Sequence, residues 1–122
     1  MAEHEKMFRF QDMEVWQRAA DLGFDIDSVA DVLEQHHRYR FAEQLRAAAL
    51  SISNNIAEGS GSNSTAEFRH FLNIARRSAF ECASMILTVQ RQPLMAGMNV
   101  QPIFIELYEV CRMITGFSRS LR

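Results

Sequence analysis

Apolar residues recur at steps of three and four along four separate stretches of this 122-residue chain. In the first, Val15, Ala19, Leu22, Ile26, Val29 and Leu33 make a heptad seam along one side of a helix. The second runs through Leu45, Ala48 or Ala49, Ile52, and Asn55 or Ile56. The third takes Phe68, Leu72, Ala75, Ala79, Cys82, Ile86 and Val89, and the fourth Ile103, Leu107, Val110, Ile114, Phe117 and Leu121. No stretch alternates apolar and polar residues as a half-buried strand would. The pattern predicts helices over about residues 12–35, 39–58, 65–91 and 101–121. Short connections between them make an all-α, up-down-up-down antiparallel four-helix bundle the economical arrangement, here as a single domain.

Punctuation between the seams supports this division. Residues 1–9 read as a loose lead-in, and Asp12 and Glu14 suit the positive N-terminal end of the first helix. Residues 34–38 turn the chain without a glycine or proline to mark the spot. The second helix is unusually small-sided, with Ala47, Ala48, Ala49, Ser51 and Ser53, which invites close approach by a neighbour. Gly59 is expected to end it in the left-handed conformation. Residues 59–63 form a short loop, and Ser64 with Glu67 fits a capping box at the start of the third helix. Pro93 closes that helix, and Pro102 is acceptable in the first turn of the fourth.

Eight large side chains lie off or beside the four seams: Trp16, Phe24, Phe71, Ile74, Phe80, Leu87, Phe104 and Tyr108. A wide core stripe absorbs about half of such a surplus. An apolar remainder on the surface marks a contact, and self-association is the expected use.

Composition narrows the class. Apolar content of 48% with 10% aromatic excludes disorder, and the length suffices for one core. Cys82 and Cys111 both fall on apolar stripes and read as free thiols in a reducing compartment. No signal peptide and no run of membrane-spanning length is visible, so a cytoplasmic protein without a membrane partner is expected. The net charge of −2 is unevenly placed: residues 1–36 hold nine acids against three bases, and residues 37–122 six acids against ten arginines.

Candidate chemistry is sparse. Asp21, Asp25, Asp27 and Asp31 lack the glycine and terminal glutamate of an EF-hand loop, and read as a solvated acidic face. Glu34 with His37 and Glu67 with His70 have the spacing of a di-iron carboxylate bundle. The first pair falls at a turn, and Glu67 points about 100° off the core. The glycine loop before the third helix lacks the P-loop lysine. No catalytic residue and no cofactor is therefore assigned. Arg38, Arg40 and Arg46, with Arg69, Arg76 and Arg77, are the candidate nucleic-acid contacts. Strong phosphate binding needs on the order of 6–10 neutralised charges, which one acidic subunit does not supply and a ring repeating the patch would. Ser51, Asn55, Glu58 and Glu81 read as a buried hydrogen-bonded network fixing helix register.

The run Gln44-Leu45-Arg46, Ser51-Ile52 and Asn55-Ile56-Ala57-Glu58-Gly59 resembles the signature of the four-helix-bundle family of proteins encoded in 23S rRNA intervening sequences. Phe10, Val15-Trp16, Glu67-Phe68, Phe71-Leu72, Ile74-Ala75, Ser78 and Glu81 extend the match over about residues 8–90. Ala47 stands where a second arginine is usual, Arg77 where glycine is usual, and Glu34 where a loop proline is common. The resemblance implies structural roles for Gln44, Ser51, Asn55, Glu58, Gly59, Ser78 and Glu81. It also implies homo-oligomeric rings, five-fold among them. A relative, the accessory variability protein of diversity-generating retroelements, brings in nucleic acid as a possible partner.

Overall fold

The computed structural model describes residues 5–122, and residues 1–4 lie outside it. Four helices follow in order: α1 (Glu14–Gln35), α2 (Tyr39–Ser60), α3 (Thr65–Gln90) and α4 (Gln101–Ser120). Two short 3-10 turns, Arg9–Asp12 and Pro93–Met95, precede α1 and α4. No strand occurs among the described residues. Each helix packs on two neighbours in the cyclic order α1, α2, α3, α4. The pairs meeting across α2 and α3 show the direction: Gln44 with Glu81, Ser51 with Ser78, and Gly59 with Phe68. One number rises as the other falls, so the helices run antiparallel. The protein is an all-α four-helix bundle.

The seams supply the core. Leu22, Ile26 and Leu33 of α1 meet Leu45, Ile52 and Ile56 of α2, with Leu72, Ile86, Leu107 and Ile114 completing the interior. Each such side chain contributes roughly 1.5–3 kcal/mol relative to leaving it in water. Helix α2 is the most closely packed, because Ala42, Ala48, Ala49 and Ser53 are buried and let both neighbours approach. Contact with α4 is thinner, and thinnest between α1 and α4.

The helix ends differ from the sequence-based expectation in three places. The lead-in is held from Met7 onward: the Gln11 side-chain oxygen accepts from the Met7 and Phe8 amides at 2.9 and 2.8 Å. Phe10 packs on Trp16 with ring centroids 4.8 Å apart, and the Arg9 guanidinium lies 5.1 Å from the Phe68 ring centre. The turn after α1 is closed by His37, which takes the left-handed conformation at φ 61°. There the Arg38 amide donates to Leu33 O at 2.8 Å and the His37 amide to Glu34 O at 2.9 Å. These are the two bonds of a Schellman ending with histidine in place of glycine.

Gly59 does not end α2. The helix continues through Ser60, and Gly97 is the one glycine with positive φ among the described residues. Gly59 is buried instead because a Cβ there would stand 2.8 Å from Phe68 Cδ1 and 2.8 Å from Phe71 Cβ. Its missing side chain makes room for α3. Of the capping box, the Ser64 half is present: its hydroxyl accepts from the Glu67 amide at 3.1 Å.

The surplus side chains divide. Trp16, Phe71, Ile74 and Phe104 are half-buried. Phe24, Phe80, Leu87 and Tyr108 stay exposed, and Leu50 and Ile105 join them. No helix among the described residues is long and apolar enough to cross a membrane.

Candidate functional site

Three groups of side chains gather the residues singled out above. The first is a polar seam along α2 and α3. The Asn55 amide nitrogen donates to Ser51 O and to Ser51 Oγ, both at 2.8 Å. Ser51 Oγ lies 2.8 Å from Ser78 Oγ. Two turns before Ser51 and about one turn after Ser78, Gln44 Nε2 donates to Glu81 at 3.3 Å. Ser51, Asn55 and Ser78 are half-buried, while Gln44, Glu58 and Glu81 are exposed. The network is therefore a rim of the interface and not an interior one. A hydroxyl facing a hydroxyl at one level and an amide facing a carboxylate at the next fix the register of α2 on α3, since a slip by one turn would unpair both.

The second group is a pair of arginine clamps on α1. Arg46 reaches from α2 to Asp31 at 2.5 Å and Asp27 at 3.4 Å, and also engages Glu34. Arg18 reaches from α1 to Glu106 of α4, with Nε at 3.1 Å and Nη2 at 2.5 Å, and its Nη1 sits 3.3 Å from the Met113 sulfur. The hydrogen bond to Glu106 raises the Arg18 pKa, outweighing the opposing effect of partial burial. The single charge of Arg46 is thus shared among three carboxylates of the acidic face of α1.

The third group lies between α3 and α4. Ala79 and Ala83 are small where α4 presents Phe104, Leu107 and Tyr108, and the mismatch leaves a groove of roughly 540 Å³. Arg76, Arg112 and Arg119 edge it. A second hollow of roughly 350 Å³, lined by Arg69 and Asn73, continues it through the shared Arg76 and Arg119. The Arg76 guanidinium lies 4.7 Å from the Phe80 ring centre, and its buried Nε has no hydrogen-bond partner among the described residues. Cys111 also lines the groove. Burial raises its thiol pKa, with the Arg76 charge pulling the other way. Cys82, on the core side of α3, is pushed up to about 12, first by burial and then by the Glu81 charge. Both cysteines are free thiols.

The six arginines read from the sequence do not form one patch. Arg46 is held on the α1 side. Arg69 donates to the backbone oxygens of Ser118, at 3.1 Å, and Leu121, tying down the end of α4. Arg38, Arg40 and Arg77 are exposed, and none has a carboxylate partner among the described residues. Arg69 and Arg76 line one hollow, which Arg119 joins, and Arg76 lines the adjoining groove with Arg112 and Arg119; Arg112 and Arg119 are not among the six. Their seven-residue spacing, the same as between Arg69 and Arg76, was the available signal. The di-iron candidates do not converge either: Glu34 serves Arg46, His37 Nδ1 lies 2.9 Å from the Tyr39 hydroxyl, and the His70 ring packs edge-on to Phe71.

Among curated proteins none matches the chain. Residues 11–116 match the family described as 23S rRNA-intervening sequence protein, a span running from the turn before α1 almost to the end of α4. With the four-helix bundle and the α2–α3 seam in place over that same span, the chain belongs to the 23S rRNA-intervening sequence protein family.

Proposed function

We propose that this chain is a non-catalytic, self-associating four-helix bundle that acts in the cytoplasm as an interaction or accessory module. The observation that carries this reading is the apolar α3–α4 groove with Phe80 and Tyr108 exposed on its banks, at 55% and 66%. A monomer gains nothing by holding such side chains in water, whereas an interface gains roughly 25 cal/mol for each Å² of apolar surface it covers. Closed rings, five-fold among them, are the assembly that family membership suggests. Light scattering at micromolar concentration tests the reading. A mass several times 14.0 kDa is expected, and a concentration-independent monomer overturns it.

A nucleic-acid-binding role is the second reading. It is favoured by Arg69, Arg76, Arg77 and Arg119, which have no carboxylate partner among the described residues. The net charge of −2 weighs against it. RNA affinity that is tight at low salt and falls steeply as salt rises would establish this role, with the arginines repeated on a ring.

A further inference from the structure

Phe24 is 76% exposed and is not among the residues packed against the core. It stands two residues from both Leu22 and Ile26, which are fully buried, so it points about 200° away from the core stripe of α1. Asp21 and Asp25 flank it, both exposed. Asp27, Asp31 and Glu34 are taken by Arg46, but Asp21 and Asp25 have no ion-pair partner among the described residues. The outer face of α1 is thus an aromatic knob between two unneutralised carboxylates.

The α3–α4 groove has the opposite character. Its floor is apolar and its edge carries Arg76, Arg112 and Arg119. Arg76 and Arg119 have no carboxylate partner among the described residues, and Arg112 has only Glu109, at 3.5 Å. We infer that the Phe24 face of α1 from one copy seats in the α3–α4 groove of a second copy, with Asp21 and Asp25 meeting the arginine edge. This docking rests on the self-association proposed above and specifies its contact.

Charge decides against the simpler arrangements. Two grooves face to face would set arginine against arginine, and two α1 faces would set aspartate against aspartate, each repulsive in a water-poor interface. Only the unlike pair is complementary. The contact is therefore head-to-tail, and such a contact closes into a ring or propagates as a filament according to its rotation. No α1 residue lines the groove between α3 and α4, and Phe24 is exposed on the outer face of α1, so one copy can offer its knob and its groove at the same time.

Two exposed substitutions test this without touching the core. Phe24→Asp destroys the knob and keeps the groove, and Tyr108→Asp does the reverse. Each variant alone should remain helical by circular dichroism and fall to 14.0 kDa by light scattering. Mixed at equal, high micromolar concentration, they should form a 1:1 species of twice that mass, because one intact groove then meets one intact knob. As an independent check of the charges, Asp21→Arg with Asp25→Arg should abolish assembly. Adding Arg112→Asp and Arg119→Asp in the same chain should restore it. A wild-type protein that is itself monomeric overturns both this contact and the self-association. A wild-type oligomer whose mass survives Phe24→Asp, or charge-exchanged chains that stay monomeric, overturns the contact alone.

Discussion

Gly59 of α2 and Phe68 of α3 touch so closely that a single methyl group would separate them: a Cβ on Gly59 would lie 2.8 Å from Phe68 Cδ1. The ring edge can turn aside, but Phe71 Cβ, also at 2.8 Å, is anchored to the α3 backbone. Gly59→Ala should therefore destabilise the fold. Helix propensity favours alanine by about 1 kcal/mol, and overpacking costs about 1–3 kcal/mol. Gly23 in α1 has nothing within 4 Å of its notional Cβ, so Gly23→Ala should instead stabilise by roughly 0.5–1 kcal/mol. Urea denaturation of both variants reads the two signs, and a stabilised Gly59→Ala would show that α2 and α3 have room to spare.

Arg46 is the shared partner of three carboxylates from α1. Arg46→Ala should cost about 1 kcal/mol, at the upper end of what partly exposed ion pairs contribute. Asp27, Asp31 and Glu34 are then left facing one another. Their repulsion is screened within about 3 Å at 1 M salt, so the deficit should shrink as sodium chloride is added. An Arg46→Ala deficit independent of salt would assign the loss to packing of the arginine stem.

His37 holds φ 61° without being glycine, a conformation that costs an L-residue roughly 1–2 kcal/mol. The hydrogen bond between His37 Nδ1 and the Tyr39 hydroxyl, at 2.9 Å, is exposed and offsets little of this. His37→Gly should raise stability by up to about 1 kcal/mol and the melting temperature by about 4 °C. A fall in melting temperature would mean that the His37–Tyr39 contact outweighs the backbone strain.

The Cys82 thiol titrates near 12 in the fold against 9.0 for an ordinary thiol. The unfolded chain therefore loses this proton first as the pH rises. Stability should be intact below about pH 9 and decline from there toward pH 12, with a slope of up to about 1.4 kcal/mol per pH unit. Cys82→Ala should be less stable at neutral pH, because it leaves a cavity, yet should flatten the alkaline decline. Denaturant midpoints at several values between pH 8 and 10.5 check this. An unchanged slope would show that other groups govern the alkaline limb.

The period of apolar residues was enough to determine four helices and their inward faces, because a helix repeats every 3.6 residues whatever it packs against. Val15, Leu22, Ile52, Leu72, Ile86, Leu107 and the other central seam positions are buried as their spacing requires, and Phe117 and Leu121 at the end of the fourth seam are half-buried. The motif around Ser51 and Asn55 was equally legible as the contact side of α2, though not as a rim. Which carboxylates Arg46 takes, why residue 59 must be glycine, and where Ala79 and Ala83 leave a groove were decided by tertiary structure alone. Each depends on what stands opposite on another helix, and sequence spacing carries no record of the distance across a helix pair. His37 marks the same limit locally: the left-handed ending of α1 was imposed on a residue that does not favour it, because the Leu33 seam and the start of α2 had to meet across so short a turn.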